Sequence, residues 1–574
     1  MSEILSGAEI LMRALADEGV KTIFGYPGGA IMPVYDALYD YVDYPDTPHR
    51  GTFHHILVRH EQGAAHAAEG FARVSGEVGV CLVTSGPGAT NTITGIADAM
   101  ADSTPIVVIA GQVHKDVLGS DAFQECDLVD MTQPISKWAY QIRRPEDVAW
   151  AVSRAFYIAR TGRPGPVVLD FTKGAQTAKA EYIPVKTNFI RSYVPVPPTA
   201  PESIAEAARL INAAERPLVL VGQGVELGGA QEELRRFLET CGAPAGCTLM
   251  GLSALPTDHP LNIGMLGMHG SLAASKQTQQ CDLLIAVGMR FADRITGRLA
   301  TYAAQAKKIH FDIDPAEINK CVHVDVPVLG DCKATLAAVT ALLEQRQHPE
   351  WLASFRPYQE EEREVVIEPQ IHPAEGPLRM GEVIRRVTEA TADRAVLVTD
   401  VGQNQMMAAR YFRFSEKRSI VTSGAMGTMG YCLPAAIGAT FGAPERTVCA
   451  IMGDGGLQMT IEELGTIMEQ KCPVKIILLN NNFLGNVRQW QNLFFRKRYS
   501  FTPMMNPDYE LIAKAYGIPC RTVTERADLD AAINEMLATD GPFFLQCAVM
   551  NEDNVLPMCF PGNDVDDMVL TIDC

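Results

Sequence analysis

446-RTVCAIMGDGGLQMTIEEL-464 and, after one helix, 473-PVKIILLNNN-482 decide the fold class. The first reads as an apolar strand ending at Met452 and a tight glycine turn into a helix. Its apolar run is continuous, as in a parallel strand covered on both faces. Asp454 therefore stands where a strand's carboxyl end meets a helix N-terminus, the place where α/β sheets bind phosphate groups. The second strand ends in Asn480, Asn481 and Asn482, which bring amide oxygens to the same sheet edge. A carboxylate with an amide oxygen suits a hard divalent cation such as Mg²⁺, which could bridge to a diphosphate.

The same alternation extends in both directions. Upstream in this module lies 395-AVLVTD-400, and downstream 542-PFFLQCAV-549. A polar, Glu-rich break over about 343–377 separates it from a middle group, 217-PLVLVG-222, 282-DLLIAVG-288 and 307-KKIHFDID-314. A proline-rich break, 194-VPVPPTAP-201, separates that from a first group, 20-VKTIFGY-26, 78-VGVCLVTS-85, 105-PIVVIAG-111 and 165-GPVVLDF-171. The chain thus predicts three α/β domains, each a parallel sheet flanked by helices, over 1–185, 200–345 and 375–574. Ser6 with Glu9 predicts a capping box opening the first helix, which Gly19 ends. The triplets Thr84–Gly86 and Thr422–Gly424 hint that the first and third modules share a fold.

Composition narrows the function. The 574 residues carry 49 Lys and Arg against 68 Asp and Glu, a net charge of −19. Such acidity repels phosphate backbones and argues against nucleic acid as a main partner. No apolar run approaches the ~18–20 residues of a membrane span. The N-terminal MSEILSGAEI lacks a basic stretch leading into an apolar one, so no secretory signal is expected. The 14 cysteines are scattered without a CxxC pair, as in a reducing cytoplasm. His54, His55, His60 and His66 match neither HExxH nor an i, i+4 pair, so they are not read as a metal site.

The GDG…NN spacing resembles the thiamine-diphosphate-binding motif. Further segments match in order: 25-GYPGGA-30, 58-VRHEQGAAHAAEGFAR-73, 84-TSGPGATN-91, 121-DAFQE-125, 162-GRPGPV-167, 264-GMLGMHG-270, 288-GMRFADR-294, 399-TDVGQNQM-406 and 427-GTMGY-431. Across nearly the whole chain they resemble the large, catalytic subunits of the acetohydroxyacid (acetolactate) synthase family. That likeness implies thiamine-diphosphate-binding folds at both ends and a Rossmann-like middle domain. It implies decarboxylation of pyruvate and transfer of the two-carbon unit to pyruvate or 2-ketobutyrate, with thiamine diphosphate, Mg²⁺ and FAD bound.

Residue by residue, the resemblance makes Glu61 the acid that hydrogen-bonds the cofactor's pyrimidine ring, where a positioned carboxyl can share a proton. Met429 would prop the two cofactor rings into a bent form. Gln403, Gly427, Gly453, Gly455 and Gly456 would cradle the cofactor, and Asp454, Asn481 and Phe483 would hold the metal. Gly29, Ala30, Phe123, Gln124 and Lys173 would lie near the reacting atoms. Arg294 would bind the acceptor's carboxylate, with Asp293 beside it, and Trp490 would contact its alkyl group. FAD would lie on Arg163, on Met268, His269, Gly288 and Arg290, and on Asp312, Ile313 and Asp331. The GxGxxxG of 221-VGQGVELGG-229 is by itself a weak dinucleotide signal.

Two positions depart from the family pattern: Ala292 replaces an acid in RFADR, and Asn486 stands where methionine or leucine is common. Two activities on the same scaffold stay open, an FAD-dependent pyruvate oxidase and a simple 2-keto acid decarboxylase, beside a cofactor-binding regulator without activity. The resemblance also implies a homodimer or homotetramer with sites shared between chains, Glu61 of one facing the cofactor held by Asp454 of another. A separate regulatory small subunit and a cytoplasmic location complete the expectations.

Overall fold

The computed structural model describes residues 3–45 and 47–572. Each of the three strand groups forms a six-stranded sheet in which every pairing is parallel. The first comprises Thr22–Gly25, His54–Leu57, Gly79–Val83, Ile106–Gln112, Trp138–Ile142 and Val167–Thr172, and in chain order its strands lie 2-1-3-4-6-5. The third comprises Val396–Thr399, Ile420–Val421, Val448–Gly453, Val474–Asn480, Cys520–Val523 and Phe543–Ala548, with the identical order 2-1-3-4-6-5. The middle sheet, Pro217–Val221, Ala245–Cys247, Asn262–Met265, Leu283–Val287, Lys307–Asp312 and Val326–Leu329, lies 3-2-1-4-5-6, the Rossmann order. The first and third modules do share a topology, though not for the reason the triplets suggested. Thr84 follows the third strand of its sheet and Thr422 the second of its own.

The expected capping box is present at the first helix, where Ser6 and Glu9 bond reciprocally and Gly19 takes a φ of 83°. One expectation fails. The polar stretch before the third sheet is not a linker but a run of helices from Pro349–Ala353 to Glu368–Ile371, with Trp351 and Phe355 buried. Its Glu362 accepts from the Leu272 amide at 2.6 Å and pairs with Arg410, tying the middle module to the third.

The first and third modules meet through the helices Glu61–Ser75 and Cys432–Gly442, which bring apolar residues of both sheets into one core. The helices cross at glycines. A Cβ on Gly438 would sit 1.8 Å from the Ala67 carbonyl oxygen, and one on Gly70 would sit 2.0 Å from that of Ala435. Neither backbone can yield without separating the helices. Gly438→Ala is therefore expected to cost about 1–3 kcal/mol or more and lower the unfolding midpoint. An unchanged midpoint in thermal or urea unfolding would show that the modules slide apart freely.

Candidate active site

In open α/β sheets ligands bind beyond the strands' carboxyl ends, where the strand order reverses. All three sheets have such a switch point between their first strand and the neighbour on its far side, and all three are furnished with glycines or acids.

In the first sheet the loops after Gly25 and Val83 meet: the Ala30 amide donates to Thr84 Oγ1 at 3.3 Å. Lys173 Nζ donates to the Gly29 carbonyl at 3.2 Å. Glu61 opens the helix Glu61–Ser75, half-buried, and accepts from Asn91 Nδ2 at 2.9 Å. His60 caps that helix, its Nδ1 accepting from the Gln62 amide. Glu463, from the third module, accepts from the Arg59 and His60 amides at 3.0 and 3.1 Å. Burial pushes the Glu463 carboxyl up to about 7, against the pull of Thr466 and those amides. Phe123 is 88% exposed, and Gln124 holds a φ of 62° against Gly86. Their loop is anchored at its far end by Gln112, which donates to the Cys126 carbonyl at 2.8 Å and to Asp170 at 3.2 Å.

In the third sheet Asp454 is almost fully buried, which raises its pKa against the hydrogen bond from Asn506. Asn506 Nδ2 lies 2.6 Å from Asp454 Oδ2 and 3.0 Å from the side-chain oxygens of both Asn480 and Asn482. Three oxygens thus converge on one point, and an amide offers only two hydrogens to them. Such a donor set fits a hard cation. Asn481 is placed differently from its neighbours: its Oδ1 accepts from the Phe483 amide at 3.3 Å, and its Nδ2 faces Gln403 Oε1 at 3.4 Å. Gln403 is buried and donates to Gln489 and to the Asp553 carbonyl. Gly453 precedes Asp454 at the strand end. A Cβ on Gly455 would lie 2.6 Å from Leu484 and 3.3 Å from Met429 Cε, and one on Gly456 2.1 Å from Asp400 Oδ1.

The middle sheet faces a cavity of about 940 Å³ whose walls come from all three modules. Arg163, Met268, His269, Gly288, Arg290, Asp312, Ile313 and Asp331 line it, as do Arg294, Gly427 and Trp490. Ala292 and Asn486 line it too. Gly224 and Gly288 pack backbone against backbone there, since a Cβ on Gly224 would lie 2.6 Å from the Gly288 Cα. Arg163 is tethered to Glu317 at 2.7 Å. Asp331 caps the helix Cys332–Thr340. Arg294 is 62% exposed, with its Nη1 3.7 Å from Met268 Sδ and its Nε 3.9 Å from Asp293. Neither Glu61 nor Asp454 is among the cavity walls.

Comparison with known proteins decides the family. Models of thiamine pyrophosphate enzymes match at residues 5–131 (N-terminal TPP binding domain), 204–339 (central domain) and 400–547 (C-terminal TPP binding domain). Acetolactate synthase isozyme 2 large subunit of Escherichia coli K12 is 42% identical over 98% of this chain and 99% of its own. A probable acetolactate synthase large subunit of Methanocaldococcus jannaschii is 43% identical over 99% of this chain and 96% of its own. The large subunit of isozyme 3 from the same E. coli strain is 40% identical over 99% of each. The chain belongs to the acetolactate synthase large-subunit family of thiamine pyrophosphate enzymes.

Within this family frame, several side chains that shape the site had no local signature. Glu463 sits in the quoted IEEL stretch, yet its partners lie some four hundred residues away. Asn506 gathers Asp454, Asn480 and Asn482 from an otherwise unmarked PMMNPD stretch. Asp400 accepts from the amides of Val401, Gly430 and Cys432, fixing the loop that holds Met429. Burial pushes its carboxyl up to about 6. Phe494 extends the aromatic wall, its ring 5.3 Å from Trp490 on one side and 5.3 Å from Phe560 on the other.

Proposed function

We propose that this chain is the catalytic subunit of an acetolactate synthase that makes 2-acetolactate from two pyruvates and 2-aceto-2-hydroxybutyrate from pyruvate and 2-ketobutyrate, for valine, leucine and isoleucine synthesis. The observation that carries the reading is the convergence of Asp454, Asn480 and Asn482 at the third sheet's switch point, in a chain whose full-length relatives bear this activity in their names. Thiamine diphosphate, when bound, supplies the electron sink for decarboxylation and for carbon–carbon bond formation. The protein binds, orients and excludes water. Asp454, with Asn481 and Phe483 as the resemblance has it, would hold Mg²⁺, and Asn480 and Asn482 bring further oxygens to the same strand end. Gln403, Gly427, Gly453, Gly455 and Gly456 would line the cofactor's site, and Met429 would pack against its rings. Glu61 would share a proton with the pyrimidine ring. Gly29, Phe123, Gln124 and Lys173 close the pocket over the reacting atoms.

FAD fits the large cavity, on Arg163, Met268, His269, Gly288, Arg290, Asp312, Ile313 and Asp331. Its part is structural, because the net reaction transfers no electrons. Flavin absorbance should therefore stay oxidised during steady turnover with pyruvate under nitrogen. Bleaching in step with product would favour the oxidase.

Glu61 and Asp454 occupy different switch points, and Phe123 stands in solvent beside Gln124. Both observations support a homodimer or homotetramer in which each site is completed by a second chain. The reading includes domains over 1–185, 200–345 and 375–574, a separate regulatory small subunit, a cytoplasmic location and no nucleic-acid partner. No helix among the described residues is long and apolar enough to cross a membrane. Incubation with pyruvate, thiamine diphosphate and Mg²⁺ tests the activity. Acetolactate is expected; acetaldehyde alone would indicate a decarboxylase, and acetyl products with a reduced acceptor an oxidase.

The acceptors share a carboxylate, which calls for a cation such as Arg294, and differ by one methylene, which apolar contact discriminates by about 1–3 kcal/mol. Trp490→Leu should lower the preference for 2-ketobutyrate about 10-fold or more. Arg294→Ala should impair reaction with both acceptors and spare decarboxylation. A competition assay of the two products checks both variants, and an unchanged ratio would remove Trp490 from the specificity site.

A further inference from the structure

Behind the cavity wall three buried side chains from two helices converge. His66 and Glu69 stand one turn apart on Glu61–Ser75, and Asp98 comes from the adjoining helix Ile93–Ala101. One ligand atom from each lies within 4.8 Å of the others. Their exposures are 0%, 1% and 0%. His66 Nδ1 is 2.9 Å from Glu69 Oε1 and its Nε2 3.3 Å from Gln62 Nε2; Glu69 Oε2 has no hydrogen-bond partner, and Asp98 faces the Ser423 and Thr428 hydroxyls.

Unpaired carboxylate oxygens in such a place are costly. The neighbours do not cancel the charge. Asp102, another buried acid, accepts from the Gly424 and Ala425 amides at 2.7 and 2.8 Å and lies 3.9 Å from Arg73. Arg73 and, on Asp102, Arg290 are the cations that act on the three acids Glu69, Asp98 and Asp102. Burial and the neighbouring acids push Asp98 up to about 7 and Glu69 well above its ordinary range.

We propose that His66, Glu69 and Asp98 form a binding site for a divalent transition-metal cation of the Zn²⁺ or Mn²⁺ class, separate from the Asp454 site. A divalent cation would replace the protons that burial favours on Glu69 and Asp98, and the unpartnered Glu69 oxygen supplies a ligand. The imidazole selects against Mg²⁺, which prefers an all-oxygen shell. The pairing of His66 with Glu69 three residues on follows the helical spacing used by carboxylate–histidine sites in helix bundles. Asp102 and Gly424 belong to the cavity wall, so the site lies one side-chain layer behind it. The histidine spacing alone could not disclose it, because the third ligand comes from a different helix.

The test uses the full chain purified from cells grown with added Zn²⁺, then saturated with thiamine diphosphate and excess Mg²⁺ so that the Asp454 site is filled. After desalting, elemental analysis should find about one Zn²⁺ per chain. Asp454→Ala should keep it, and Asp98→Asn should lower it about 10-fold or more. Anomalous diffraction at the zinc edge of the unmodified protein should place a peak among His66, Glu69 and Asp98, a readout that needs no variant to fold. Zinc-free protein, a peak elsewhere, or full retention by a folded Asp98→Asn protein would overturn the site and leave protonation as the means by which these acids are neutralised.

Discussion

Glu61→Gln is expected to leave the fold and cofactor affinity largely intact while turnover falls roughly 10²–10⁴-fold, the range for a positioned acid–base group. The substitution keeps the side chain's length and its ability to accept from Asn91 Nδ2, so the helix start should not move. It removes the capacity to share a proton with a ring nitrogen, which is the whole of the role proposed for this residue. The decisive measurement is hydrogen–deuterium exchange at the thiazolium carbon of bound cofactor, beside a binding isotherm. Exchange at the unmodified protein's rate would sink the assignment even if turnover fell.

Asp454→Ala should abolish or severely weaken thiamine diphosphate binding in the presence of Mg²⁺. Asp454 supplies the only anionic oxygen among the three that surround the Asn506 amide; Asn480 and Asn482 contribute neutral carbonyls. Without the carboxylate a hard cation would keep too little charge compensation to displace its water, and a diphosphate held through it would bind weakly. The buried carboxyl carries a desolvation cost of its own, so the variant should fold at least as well. Calorimetry should return weak or absent binding with an unimpaired unfolding midpoint. Unchanged affinity would place the cation elsewhere.

The central strands of all three sheets are legible in the sequence because they are buried on both faces and spelled in unbroken apolar residues. The edges are not. His54–Leu57, Trp138–Ile142 and Asn262–Met265 are only partly buried, and Ile420–Val421 is two residues long. Such strands owe their existence to a neighbour's backbone rather than to their own pattern. The Glu-rich stretch misleads for a related reason: average polarity conceals the few residues, Trp351, Phe355 and Glu362, that dock it. At the site, the glycine turn around Asp454 is a local signal and could be read. Glu463 and Asn506 act on partners that only folding brings near, and no spacing rule reaches them.

The identical strand orders of the first and third modules mean that one scaffold appears twice with different furniture. One copy presents Glu61 and no Gly-Asp-Gly carboxylate; the other presents Asp454 and its ring of oxygens. On the proposed reading each copy would hold one end of an elongated cofactor. A cofactor spanning the two would then act as a gauge of their separation. If a copy of each type is set too close or too far, the diphosphate and the pyrimidine cannot both be seated, and the assembly registers the misfit as lost affinity before any chemistry is attempted.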